Sequence, residues 1–205
     1  MFMQNFSQPD GVRAERYTDL QFETLCWSRC LGCMLGGAVG DALGYPIEFK
    51  TEEMIRREYG QNGIQSLEQA GTPAKISDDT QMSLFAANAY IYWVSSRGRF
   101  SEITLTDAVW LAYREWLGTQ GDTSRMDTKS PKMWIYTQPG MHAVRAPGIT
   151  CMDAISSSAK GGTAEHPVNN SKGCGTVMRA AVYGIMAGSA NDRPGGRTPA
   201  AMAWE

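Results

Sequence analysis

The sequence predicts an all-α protein folded as a multi-helix domain, and three observations carry that expectation. Apolar residues recur at helical spacing in five separate stretches. Two of those stretches open on hydroxyl residues suited to capping a helix, Ser77 and either Thr104 or Thr106. Signals for half-buried strands, with their period-two alternation, are few.

Residues 1–18 are polar and read as a loose N-terminal arm, which leaves 19–205 as one domain. From about Leu20 to Leu43 runs the first helix, with Gly32, Gly36, Gly40 and Gly44 at every fourth position. Glycine is a poor helix former, so a column of it implies close approach by a second backbone. Asp41 sits in this apolar helix and needs hydrogen-bonding partners, either capping a neighbouring segment or supporting a site. The second helix spans Ser77 to about Ser96, with Met82, Phe85, Ala86, Ala89, Tyr90 and Trp93 as its buried stripe. A third carries Ala108, Val109, Leu111, Ala112, Trp116 and Leu117. Gly118 to Pro147 is a long excursion with one short helical turn near Lys132–Tyr136, and loops of that length are often functional. A short helix at Ile149–Ser157, a second glycine-rich loop at Gly161–Gly175 and a helix at about Thr176–Ala187 follow. The stretch from Gly188 to Arg197 turns polar and rich in proline and glycine.

The bulk composition narrows the function. Of 205 residues, 42% are hydrophobic and 20% charged, enough to bury a real core. A net charge of −2 and the lack of a long basic run argue against nucleic acid or an anionic membrane as the main partner. The N-terminus lacks the apolar core of a signal peptide, and no stretch approaches the roughly 20 apolar residues of a membrane span, so the cytoplasm is the expected location.

Five cysteines form no disulfide framework. Cys26, Cys30 and Cys33 match a C-x3-C-x2-C iron–sulfur spacing, but the same i, i+4, i+7 pattern describes three small residues buried on one helix face. The scarcity of strands favours the second reading. His142 and His166 lie in loops and are expected to be solvent-exposed.

Three segments carry chemistry. In Gly40-Asp41-Ala42-Leu43-Gly44-Tyr45-Pro46-Ile47-Glu48, proline ends the helix and Glu48 follows the break, placed as a general base, a metal contact or a sugar-hydroxyl acceptor. In Ser77-Asp78-Asp79-Thr80, adjacent carboxylates diverge by about 100° at a helix start. That suits hard cations with oxygen ligands, and it equally suits capping and the helix dipole. In Asn170 to Arg179, a glycine-rich loop offers N–H groups to a phosphate or diphosphate. It is neither a Walker loop nor a Rossmann fingerprint. Arg179, just inside the helix, is expected to be packed and ion-paired with another helix.

Together, RCLGCMLGGAVGDALGYPIEF, SDDTQM and SKGCGTVMRAAVYG resemble, in order, the ADP-ribosylglycohydrolase family, over about Leu25 to Gly184. The resemblance implies an all-α domain with a two-metal Mg²⁺ or Mn²⁺ centre that hydrolyses the glycosidic bond between ADP-ribose and a protein side chain. It implies Ser77, Asp78 and Asp79 as metal ligands, with Glu48 beside the scissile bond as a catalytic residue alongside Asp78 and Asp79. It implies Ser171, Gly173, Cys174 and Gly175 as the cradle of the ADP-ribose diphosphate. Cys174 stands where many family members have asparagine, and nothing after Arg179 resembles the family's late D-x-D-T metal element. The sequence therefore reads as C-terminally truncated relative to the family. Two outcomes follow: an ADP-ribosylated-protein hydrolase, or a catalytically dead ADP-ribose-binding or structural relative.

Overall fold

The computed structural model describes residues 19–96, 103–158, 166, 168–171 and 173–191. The expected arm at 1–18, most of residues 161–172 and everything after Asn191 lie outside the described residues. Among the described residues the structure holds helices and no strand, as the apolar periodicity predicts. The helices are α1 (Asp19–Gly44), α2 (Glu52–Tyr59), α3 (Leu67–Ala70), α4 (Asp78–Ser96), α5 (Leu105–Thr119), α6 (Ile149–Ser157) and α7 (Ala180–Asn191).

The core is the α4–α5 seam. Met82, Phe85, Ala86 and Ala89 of α4 meet Ala108, Ala112, Trp116 and Leu117 of α5, all buried. Each large apolar side chain sealed there contributes roughly 1.5–3 kcal/mol. Met133, Ile135 and Met141 from the long excursion, Ile155 of α6, and Val182 and Met186 of α7 close around the seam. The start of α5 follows its sequence: the Thr104 hydroxyl accepts from Asp107 N–H at 3.1 Å, and the Asp107 carboxylate accepts from Thr104 N–H at 3.0 Å, a complete capping box.

Helix α1 departs from expectation. An ideal Cβ at Gly32, Gly36, Gly40 or Gly44 meets nothing within 4 Å, so no second backbone approaches the glycine column among the described residues. Trp27 is 70% exposed, and Leu31, Leu35 and Val39 are exposed with it. Cys33 is exposed and Cys30 half-buried, both free thiols, so the buried cysteine face is not formed either. Among the described residues no cluster of His, Cys, Asp and Glu could hold a metal centre there. By length and composition the 21 residues Trp27–Ile47 could cross a membrane, contrary to the sequence reading. Asp41 lies inside that span, and its carboxylate is bonded to the start of α4.

The long excursion is fastened to the core by buried polar side chains. The Glu115 carboxylate of α5 accepts from the N–H groups of Lys132 and Met133 at 2.6 and 3.0 Å. The half-buried Asn88 side chain accepts from Ile135 N–H at 2.8 Å, inside the first of two short 3-10 turns at Trp134–Thr137 and Pro139–Met141. Gln81, with no exposed surface, donates to the carbonyls of Met141 and Ala143 while its oxygen accepts from Trp116 Nε1 and Gln120 Nε2. Two short helices went unread in the sequence, α2 and α3. Their caps are plain in retrospect: the Thr51 hydroxyl accepts from Met54 N–H, and the Ser66 hydroxyl from Gln69 N–H.

Candidate active site

The first turn of α4 is held by groups from three parts of the chain. The Ser77 hydroxyl, at the N-cap, accepts from Asp79 N–H at 3.2 Å. The Asp41 carboxylate of α1 accepts from Ser77 N–H at 2.9 Å and from Thr80 N–H at 3.2 Å, and it also takes the Thr80 hydroxyl. One side chain from 36 residues upstream thus satisfies helix N–H groups that would otherwise lack partners. Its negative charge also suits the positive end of the helix dipole. Asp41 thus caps a neighbouring segment, one of the two roles its apolar surroundings implied.

Asp78 turns the other way. Its Oδ2 accepts from Gly148 N–H at 3.0 Å, its own N–H donates to Arg145 O at 3.1 Å, and the Arg145 guanidinium donates to Ile76 O at 3.3 Å. Between these anchors Ala146 adopts φ 50°, a left-handed backbone that an L-residue with a Cβ resists. Asp78 is buried, whereas Asp79, about 100° further round the helix, is exposed.

Glu48 arrives from the end of α1. The α-helix stops at Gly44, and the chain tightens into a 3-10 turn at Tyr45–Ile47 with Pro46 inside it. Glu48 closes that turn, its N–H on Tyr45 O. Glu48 is exposed, and partial loss of solvent around its carboxyl, with the nearby charges of Asp79 and Asp41, raises it above the ordinary range. Asp79, also exposed, is raised in the same way, by partial desolvation and then by Asp41. Asp78 goes furthest, to about 6: burial dominates, Asp79 and Glu48 add to it, and the Gly148 N–H pulls the other way. Asp78 thus feels the charges of Asp79 and Glu48, and Glu48 and Asp79 feel that of Asp41, which links the end of α1 to the start of α4.

The glycine-rich loop lies beside them, with Cys151 of α6 between. The charges of Asp78 and Asp79 reach the Cys151 thiol, and an ideal Cβ on Gly175 would stand 2.6 Å from its sulfur. The Ser171 hydroxyl is 3.0 Å from that of Thr150 and accepts from Gly173 N–H at 3.3 Å. Ser171, Gly173 and Cys174 are exposed. The loop enters a 3-10 helix, Cys174–Arg179, and only then α7, so the α-helical start expected near Thr176 falls at Ala180 instead. Ser83 of α4 ties this turn down by donating to Met178 O at 3.1 Å. Arg179 packs its guanidinium 4.7 Å from the centre of the Tyr113 ring, an aromatic partner where an acid was expected. His142 is exposed with Nε2 2.7 Å from Tyr136 O, and His166 is exposed as well.

A hard divalent cation fits this donor set in kind, because carboxylate and hydroxyl oxygens meet there and their mutual repulsion is what a cation relieves. They do not form a closed cage. Among the described residues no group of three or more His, Cys, Asp or Glu converges to hold an ion. The sequence had marked Glu48, Ser77, Asp78, Asp79 and the loop residues. It assigned no role to Gly148, Arg145 or Gln81, whose partners lie about 60–70 residues away, or to Cys151, which packs against Gly175.

Over 60 residues the chain is 45% identical to the ADP-ribosyl-[dinitrogen reductase] glycohydrolase of Rhodospirillum rubrum, a match covering 27% of this chain and 20% of that relative. No solved structure matches significantly. Residues 23–204 match the ADP-ribosylglycohydrolase family, a span that takes in Glu48, the α4 acids and the glycine loop, and the chain belongs to that family.

Proposed function

We propose that this protein hydrolyses the glycosidic bond between ADP-ribose and a side chain of a modified cytoplasmic protein, with Mg²⁺ or Mn²⁺ as cofactor. The observation that carries the reading is the meeting of Glu48 with Asp78 and Asp79, delivered by helices some 30 residues apart, next to the loop at Gly173. In this reading Ser171, Gly173, Cys174 and Gly175 receive the diphosphate, with backbone N–H groups as donors. Ser77, Asp78 and Asp79 would hold the cation through their oxygens. When bound, the cation supplies Lewis-acid polarisation of sugar hydroxyls and water. Asp41 keeps the α4 acids in register. Glu48, its proton affinity raised by partial desolvation and then by Asp79 and Asp41, moves a proton at the reacting anomeric centre.

The test is release of ADP-ribose from ADP-ribosyl-arginine or ADP-ribosyl-serine peptides with Mg²⁺ or Mn²⁺. Turnover should disappear in an Asp78→Asn/Asp79→Asn variant, and equal rates for both proteins overturn the hydrolase. A second reading, binding without hydrolysis, is favoured by the open cation site. Calorimetry with ADP-ribose separates them: metal-dependent affinity supports the enzyme, and metal-independent affinity without turnover supports the binding protein.

A further inference from the structure

Apart from the acids, the structure brings two thiols to the glycine-rich loop. Cys151 lies in the first turn of α6 and is half-buried, while Cys174 opens the turn after Gly173 and is exposed. Both are free. The sulfur of Cys151 occupies the space a side chain at position 175 would need, 2.6 Å from an ideal Cβ there, so it presses on the backbone one residue from Cys174. Burial raises the Cys151 thiol above its ordinary range, and the neighbouring Cys174 is close enough to add to that rise.

We propose that Cys151 and Cys174 are an oxidation site, a dithiol that closes to a disulfide and pins the glycine loop to α6. The oxidant is a peroxide, which reaches the exposed Cys174 first. The Cys174 thiolate attacks one peroxide oxygen and the O–O bond breaks, giving Cys174 sulfenic acid and hydroxide. The Cys151 sulfur then attacks the sulfenic sulfur, and water leaves with the Cys151 proton. Two thiols and one hydrogen peroxide become one disulfide and two waters. Cys151, half-buried beside the exposed Cys174, is placed as the resolving thiol by its position. The cross-link draws Cα atoms to about 4.4–6.8 Å, which fixes a loop now held to α6 by the Ser171–Thr150 hydroxyl contact. Disulfide formation is independent of the de-ADP-ribosylation reading; only its effect on ligand binding rests on that reading.

The experiment treats the full chain with hydrogen peroxide, blocks remaining thiols, and maps peptides by mass spectrometry before and after dithiothreitol. A linked pair containing Cys151 and Cys174, lighter by two hydrogens and released by the reductant, supports the proposal. So does its absence in both Cys151→Ser and Cys174→Ser. Sulfinic acid accumulating at Cys174 beside an intact Cys151 thiol overturns it, as does a bridge among Cys26, Cys30 and Cys33 instead. In parallel, ADP-ribose affinity of the same protein should fall by about tenfold on oxidation and recover on reduction, as when only a minor fraction stays competent. A mapped Cys151–Cys174 bridge with unchanged affinity supports the disulfide and overturns the assignment of this loop to the diphosphate.

Discussion

At the scale of the single residue, Asp78 couples the site to pH. Burial and the neighbouring acids lift its carboxyl from 3.8 to about 6, a rise worth about 3 kcal/mol. The folded protein holds this proton more tightly than the unfolded chain. The stabilising contribution is therefore complete below pH 3.8 and disappears as pH climbs through 6. An Asp78→Asn variant, still able to accept from Gly148 N–H, should melt higher than the parent at pH 7.5. The gap should close when both are melted near the lower of these values. Added Mg²⁺ should raise the parent's melting point at pH 7.5 more than the variant's, and equal responses in a thermal shift assay would count against a cation at Asp78. A second residue-scale prediction concerns Ala146, whose left-handed backbone costs about 1–2 kcal/mol. Ala146→Gly should gain roughly 0.5–1 kcal/mol after allowing for the freer unfolded chain, measured by urea denaturation. Ala146→Val should lose more than that.

Among the elements, α4 depends most on another helix, because its N-terminus is closed by α1 through Asp41. Asp41→Ala removes a charged acceptor from two backbone N–H groups and a hydroxyl, and should cost about 2 kcal/mol in chemical denaturation. Amide exchange at Ser77–Thr80 should speed up while exchange in α5 stays slow. A uniform increase across both helices would instead mean that Asp41 acts on the fold as a whole. The sequence made α4, α5 and α6 legible because each has a cap, an apolar stripe or both, and α6 came out with its exact span. Helices α2 and α3 escaped although both are capped: with 8 and 4 residues and no buried residue, each is too short to leave an apolar stripe. The glycine column misled because a sequence shows that residues are small without showing what faces them.

For the molecule as a whole, the site is a property of how the 118–148 excursion is laid down. Gln81 lies one turn after Asp78 and fixes the carbonyls of Met141 and Ala143. Gln81→Leu leaves those carbonyls, Trp116 Nε1 and Gln120 Nε2 short of partners, and should cost about 2–4 kcal/mol. Hydrogen exchange should rise across 132–148, and ADP-ribose binding should weaken although no substituted atom touches the ligand. Unchanged exchange there would show that the excursion holds itself. This is also why only half of the site was legible beforehand. Acids and glycines announce themselves by type, whereas Gly148, Arg145 and Cys151 matter through where the fold puts them.

The fastening points themselves carry a practical consequence. Glu115, Asn88, Gln81 and Asp78 all grip backbone amides or carbonyls, so they constrain where the excursion runs and leave most of its side chains unspecified. The excursion is thus built like an exchangeable cassette on four fixed pegs. Foreign segments spliced between Met133 and Gly148 should tolerate wide changes of sequence as long as they return a backbone group to every peg and apolar side chains at 135 and 141, which reach the core.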